Sequence, residues 1–391
     1  MPECRLFFLD KRELPMAKAK VTFKDLEERY QDEDRGVAQE RNDFLLPQIL
    51  DFVNQKKWMN LQPEYQRRQV WDNKKKSQFI ESLLMNLPVP PVFLFEPEYS
   101  RYEVMDGQQR LSAIVAFYSN RVKLTGLEYW PELNGFYYAD LPPMIQRGLD
   151  RRRLSAVVLQ SSSREKKDDD LRRIVFERLN TGGQKLNAQE LRNCIYSSDF
   201  AKLLVELAGY NSFNDLLGMP RYEDNIIKNQ ISQELAENSF FKRMIDCELV
   251  LRFFAFRKKA NIKGSVKSML DKCMLGHLDT KEEQLDVLAS DFRSRVDLAK
   301  ELFGVDAFRL KELNKDQDKV SQPFYDAIVI ACDRQFSNRE ALIKKRAELT
   351  ADIKKAISDE DTYELIVGRA NTADAIKKRL DLVESIFTGV L

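Results

Sequence analysis

Apolar positions give the chain two textures. Between Phe44 and about residue 160, short apolar runs alternate with helical spacings. Ile49, Leu50 and Val53 predict a short helix ending near Trp58. Asp72 stands where an N-cap belongs, and Phe79, Ile80, Leu83, Leu84 and Leu87 follow at helical spacing. Pro88-Val89-Pro90-Pro91 should stop that helix. Val92-Phe93-Leu94-Phe95 and Tyr102-Glu103-Val104-Met105 read as strands, with Arg101 in the turn before the second. Leu111, Ile114, Val115 and Tyr118 then share one helical face. Residues 119–150 are aromatic and loop-like, and Leu154 to Gln160 is a third strand. A helix is expected from Asp168 to Leu179, closed by Asn180-Thr181-Gly182-Gly183. Asn187-Ala188-Gln189-Glu190 is a capping box that opens the next helix.

The flanks read differently. Residues 1–43 are charged and weakly patterned, with a solvated helix expected within Lys24 to Arg41. Beyond about residue 200 strand signals fade. Phe240 to Phe256 and Ala341 to Ile357 read as helices, and Ile376, Leu380, Val383 and Phe387 mark an amphipathic last helix. The division expected is a charged segment (1–43), a mixed domain (44–200) and a helical domain (201–391), an α+β architecture.

Composition narrows the function classes. Among 391 residues, Lys plus Arg number 63 and Asp plus Glu 62, a net charge of +1. That balance argues against coating nucleic acid by bulk charge and leaves room only for local basic patches. The 14 glycines and 13 prolines are few for an all-β sandwich and favour long helices. Five cysteines, odd in number and without a C-x-x-C pair, argue against a disulfide framework or zinc ribbon and for a reducing compartment. One histidine, His277, leaves no pair for an H-E-x-x-H site, a histidine metal cage or a His-Asn-His nuclease. Leu6-Phe7-Phe8-Leu9 is too short for a signal peptide, and no stretch nears the ~18 apolar residues of a membrane span. A cytoplasmic protein with no membrane partner is expected.

Three clusters carry candidate chemistry. The first, Asp106-Gly107-Gln108-Gln109-Arg110, lies between a buried strand and an amphipathic helix, where backbone N–H groups face anions. Gly107 permits a left-handed turn or close approach of a ligand. Gln108 and Gln109 supply neutral donors and acceptors, and Arg110 a planar fork suited to phosphate. Asp106 could cap the helix, hold Arg110 or hold a cation. The plain alternative is an N-cap with a solvent-facing arginine, although a cation there opposes the helix dipole. The second cluster is Pro63-Glu64-Tyr65-Gln66-Arg67-Arg68 with Trp71-Asp72, which on its own is a surface loop with a buried tryptophan. The third runs from Phe176 to Gly183, whose glycine pair is either a helix C-cap or an anion nest, followed by Glu190, Arg192 and Asn193. No Walker A spacing is present. Arg151-Arg152-Arg153 is a solvated face or a set of phosphate contacts.

In that order, the three motifs resemble the N-terminal domain of the GmrSD-type restriction proteins, a family that looks like a distant relative of the ParB/sulfiredoxin fold. The resemblance covers about residues 44–200. It implies a small mixed-sheet domain that binds and hydrolyses a nucleoside triphosphate with Mg²⁺, in defence against phage or modified DNA. On the matching positions, Asp106, Gln109 and Arg110 would be catalytic, with Asp106 or Glu64 managing the cation or the attacking water. Gln66, Arg67, Gly107, Gln108, Asn180 and Gly182 would line the nucleotide cleft. A separate nuclease or effector subunit, DNA and a second copy of the chain are the partners implied. Longer members carry a His-Asn-His nuclease domain, whereas His277 has no partner histidine and reads as a packed or helix-end residue. Two other readings stay open: a ParB-like DNA-binding module without turnover, and a metal-dependent nuclease using Asp106. On any of them Arg110, in a first helical turn, is expected to be exposed, and its replacement by alanine to move stability by less than about 0.5 kcal/mol.

Overall fold

The computed structural model describes residues 22–24, 27–28, 37–61, 71–161, 175, 187–196, 198–227, 230–310, 319–367 and 370–391. A five-stranded mixed sheet is built from β1 (Val37–Leu45), β2 (Met59–Asn60), β3 (Val92–Glu98), β4 (Arg101–Asp106) and β5 (Arg153–Ser161). Its order is β1-β5-β3-β4-β2. β5 runs parallel to β3 and β2 parallel to β4, while the β1–β5 and β3–β4 pairs are antiparallel. Helices α1 (Leu46–Asn54), α2 (Asn73–Leu84), α3 (Gln108–Tyr118) and α4 (Pro143–Asp150) accompany it.

Strand alternation splits the side chains between two cores. Val92, Leu94, Leu154, Ala156 and Val158 join Ile49, Ile80, Leu111 and Ile114 in one core with α1–α4. Phe95, Met105, Val157 and Leu159 point to the other face and join the core of the helical half. The sheet is therefore covered on both faces, and its middle strands read as unbroken apolar runs.

The helical half begins with α5 (Ala188–Ile195), α6 (Asp199–Ala208) and α7 (Asn211–Leu217). It continues through α8 (Ile245–Phe256), α9 (Val266–Leu275), α10 (Glu282–Phe303), α11 (Gln322–Arg334), α12 (Arg346–Ser358), α13 (Glu360–Val367) and α14 (Ala373–Val390). Ile376, Leu380, Val383 and Phe387 are all buried, as their spacing requires, and α14 packs against α11. No helix among the described residues is long and apolar enough to cross a membrane.

Five expectations are corrected. Residues 37–41, expected in a solvated helix, are strand and pair in register with β5 from Val37–Ser161 onward. Gln39, Glu40, Arg41 and Asp43 are exposed, so this edge strand carries the charge that hides its pattern. α2 ends at Leu84 and leaves Leu87 46% exposed. Asn86 turns left-handed at φ 57°, and the Asn86 and Leu87 N–H groups donate to the Leu83 and Ser82 carbonyls, a Schellman closure before the prolines. The 240–256 helix is broken at buried Met244, whose φ is 50°. The 341–357 helix is broken at Lys345, whose ammonium donates to the Val390 carbonyl at 2.6 Å. Residues 119–150 are more ordered than expected: two short 3₁₀ turns precede α4. The buried Glu81 carboxylate accepts from the N–H groups of Glu128, Tyr129 and Trp130 and fixes that loop.

Candidate functional site

β4 ends at Asp106 and α3 begins at Gln108, so a single residue makes the corner. Gly107 makes it at φ 94°, and a Cβ there would lie 2.3 Å from Val92 Cγ1. Both facts demand glycine: the left-handed backbone strains other residues, and β3 has no room for a side chain. A glycine N-cap also means that no side chain caps α3 from that position. Asp106 therefore does not cap the helix, and its carboxylate Oδ2 accepts from Arg110 Nη2 at 2.7 Å.

Arg110 is only 13% exposed in its side chain, while Asp106 is 48% exposed. The expectation of an exposed arginine is thus wrong. Its Nη1 donates to the Pro90 carbonyl and, at 3.3 Å, to that of Pro91. The proline segment that follows α2 also holds the guanidinium. Burial pulls the Arg110 pKa below the ordinary guanidinium value, and Asp106 pulls it back up by charge and hydrogen bond. A cation at a helix N-terminus opposes the dipole. Here Asp106 and the two carbonyls supply the compensation.

The two glutamines face inward. Gln108 is 3% exposed, and Gln109 Oε1 accepts from the Trp71 N–H at 3.0 Å. Trp71 packs edge-on against Phe79 at 5.6 Å. The second sequence cluster thus meets the first through its last residues. β2 runs parallel to β4, with Met59 beside Tyr102 and Asn60 beside Glu103. Gln66, Arg67 and Glu64 lie outside the described residues, as do Asn180 and Gly182.

The described end of the third cluster belongs elsewhere. Asn187 caps α5 reciprocally with Glu190. Arg192 is buried, with Nε on Asp271 at 2.9 Å and Nη1 on Glu248 at 3.1 Å. These residues tie α5 to α8 and α9. Arg152 donates to the Leu84 carbonyl at 3.0 Å, while Arg151 and Arg153 are exposed. His277 stacks on Phe200 at 4.3 Å and its Nδ1 lies 2.8 Å from the Cys273 carbonyl, a packed histidine at a helix end. No group of three or more His, Cys, Asp or Glu residues that could hold a metal is present among the described residues.

Sequence reasoning missed the partners that hold the motif in place: Val92, Trp71 and the Pro90 and Pro91 carbonyls. The proline run was legible, but as a helix stop. An open cleft of about 670 Å³ runs along the β2–β4 edge, lined by Trp58, Asn60, Leu61, Arg101, Tyr102 and Glu103 among others. None of the Asp106–Arg110 residues lines it.

Residues 48–197 match the family model of the GmrSD restriction endonuclease, N-terminal domain. That stretch is similar to a GmrSD-type N-terminal domain. No curated protein and no solved structure matches the chain. The GmrSD-type match starts inside α1 and ends just after α5, so it takes in β2–β5 and the whole Asp106–Arg110 corner. β1 lies ahead of the match, yet it completes the sheet.

Proposed function

We propose that the corner at the end of β4 binds the phosphates of a nucleoside triphosphate and that the domain hydrolyses it, as the sensing or regulatory part of a restriction system. The carrying observation is the placement of a largely buried guanidinium at the start of α3, braced by Asp106 and two proline carbonyls. Bracing of this kind holds positive charge where a helix N-terminus already favours anions. Asp106, half-exposed beside it, fits a Mg²⁺ ion that takes one or two carboxylates and completes its shell with water and phosphate. When bound, the ion would neutralise phosphate charge. The chain's own part is to orient the phosphates through Arg110 and to keep the corner rigid through Gly107, Gln109 and Trp71. The family match supports the restriction setting, and a separate nuclease or effector is the partner this reading expects.

The test is phosphate release from a panel of nucleoside triphosphates with Mg²⁺, using wild type and Arg110→Lys. Lysine keeps the charge and loses the fork. Release by wild type that falls at least about a hundredfold in the variant, with an unchanged far-ultraviolet spectrum, supports the reading. Equal rates in both proteins refute it.

A further inference from the structure

The helical half holds a second concave surface whose chemistry the GmrSD-type domain does not explain. A cavity of about 750 Å³ opens where the C-terminal end of α8, the 258–263 connection and α9 meet α10. Its apolar lining includes Phe254, Met269 and Leu288, and three exposed lysines, Lys258, Lys263 and Lys272, stand around it. Asp333 is the one carboxylate among its lining residues. That carboxylate is already committed: Arg257 bonds it through Nε at 3.0 Å and Nη2 at 2.9 Å, and Arg295 through Nε at 2.9 Å. Lys258, Lys263 and Lys272 form no ion pair among the described residues, whereas neighbouring Lys259 is paired with Asp381 at 2.5 Å. A chain with a net charge of +1 therefore concentrates unpaired lysines around one hollow of mixed polar and apolar lining.

We propose that this cavity binds a small organic phosphate: a molecule with a compact apolar body against Phe254, Met269 and Leu288 and phosphate oxygens reached by the three lysines. Size and chemistry both fit. Small-molecule sites enclose ~300–1,000 Å³, are lined mainly by apolar side chains and use a few polar groups for orientation. Lysine serves as a mobile point charge for phosphate, without the planar geometry that reading a base edge demands. Phe254, Met269 and Leu288 give an apolar body a place that a bare nucleic-acid backbone has no use for. The site is separate from the corner at Arg110, since the two are built on different cores.

Hydrogen–deuterium exchange on the full chain tests the proposal peptide by peptide, with adenosine monophosphate and inorganic pyrophosphate as probes. Adenosine monophosphate should slow exchange in peptides covering 254–277, more strongly than pyrophosphate, which lacks the apolar body. The triple variant Lys258→Glu, Lys263→Glu, Lys272→Glu should need at least about a hundredfold more adenosine monophosphate for the same protection. These exposed lysines can be reversed without opening the core, and the variant's unliganded exchange pattern checks that. Protection of 254–277 that survives in the triple variant overturns the proposal. So does an absence of protection in wild type at millimolar probe, or protection there by a DNA duplex alone, which would make the surface a nucleic-acid contact. Protection confined to 104–112 would leave the Arg110 reading standing and refute this one, so the two fail separately.

Discussion

Two arginines, each bonded to a carboxylate of its own half, show how differently the halves use charge. Arg252 on α8 is sealed. Its Nε reaches Asp326 Oδ1 at 2.9 Å and its Nη2 reaches Oδ2, and the Asp326 side chain has no exposure at all. Burial pushes the Asp326 carboxyl above its ordinary pKa, with Arg252 pulling it back. That pair connects α8 to α11 inside the helical core and has no path to a ligand. Arg110 is nearly as buried, yet its carboxylate partner Asp106 is half-exposed and its other contacts are proline carbonyls. The same guanidinium chemistry builds a closed fastening in one half and a charge with an open side in the other. Burial of an arginine therefore does not separate a closed fastening from a charge with an open side, whereas the exposure of its carboxylate partner does.

Substitutions can break this contrast, the largest effect first. Asp326→Asn leaves Arg252 buried without a full counter-charge and should cost about 3–5 kcal/mol, read from the urea midpoint. Asp106→Asn should cost under about 1 kcal/mol, because position 106 is half-exposed and the Pro90 and Pro91 carbonyls still hold the guanidinium. Equal losses in the two variants would make Asp106 a structural partner and end the comparison. Gly107→Ala meets both the left-handed backbone and Val92, and should cost about 1–3 kcal/mol. Gly264→Ala, at φ 83° with no atom nearer than 4.0 Å, carries the backbone cost alone and should lose less. A reversed order would mean that β3 gives way around the corner.

Arg110→Ala should cost about 1–2 kcal/mol, more than an exposed arginine would, because its contacts to Pro90, Pro91 and Asp106 are lost. Thermal unfolding of the variant measures it, and a shift indistinguishable from zero would contradict the bracing described. The smallest effect concerns acid. Hydrogen bonds from Arg221 and Lys300 hold the Asp215 pKa down to about 2, against 3.8 ordinarily. A depressed carboxylate contributes stability that is present above the ordinary value and is lost as pH falls from about 4 through 2. Wild type should lose slightly more stability over that window than Asp215→Asn. Parallel curves would show that the surface pairs at Arg221 and Lys300 contribute nothing.

What was legible in the sequence follows from where each determinant lies. The face of α3, the run of β3 and the Asn187–Glu190 cap are local, and spacing alone revealed them. β1 was not legible, because its pairing with β5 spans more than 100 residues and its exposed side chains mask the alternation. The motif at Asp106–Arg110 was legible as residue types, and its family resemblance was correct. Its geometry was not, because the Pro90 and Pro91 carbonyls and the Trp71 N–H come from other segments. No spacing in the sequence marked Lys258, Lys263 and Lys272 as a set. Only the fold shows that Asp333 is spoken for and that the lysines surround a cavity.

Photo-crosslinking with an azido-labelled nucleoside triphosphate and Mg²⁺, followed by peptide mapping, tests most directly whether the corner at Arg110 seats the nucleotide. Adducts should fall in peptides flanking the corner, between residues 58 and 112, and should be lost in Arg110→Lys. Adducts confined to 254–277, or adducts near the corner that persist undiminished in Arg110→Lys, would contradict the assignment.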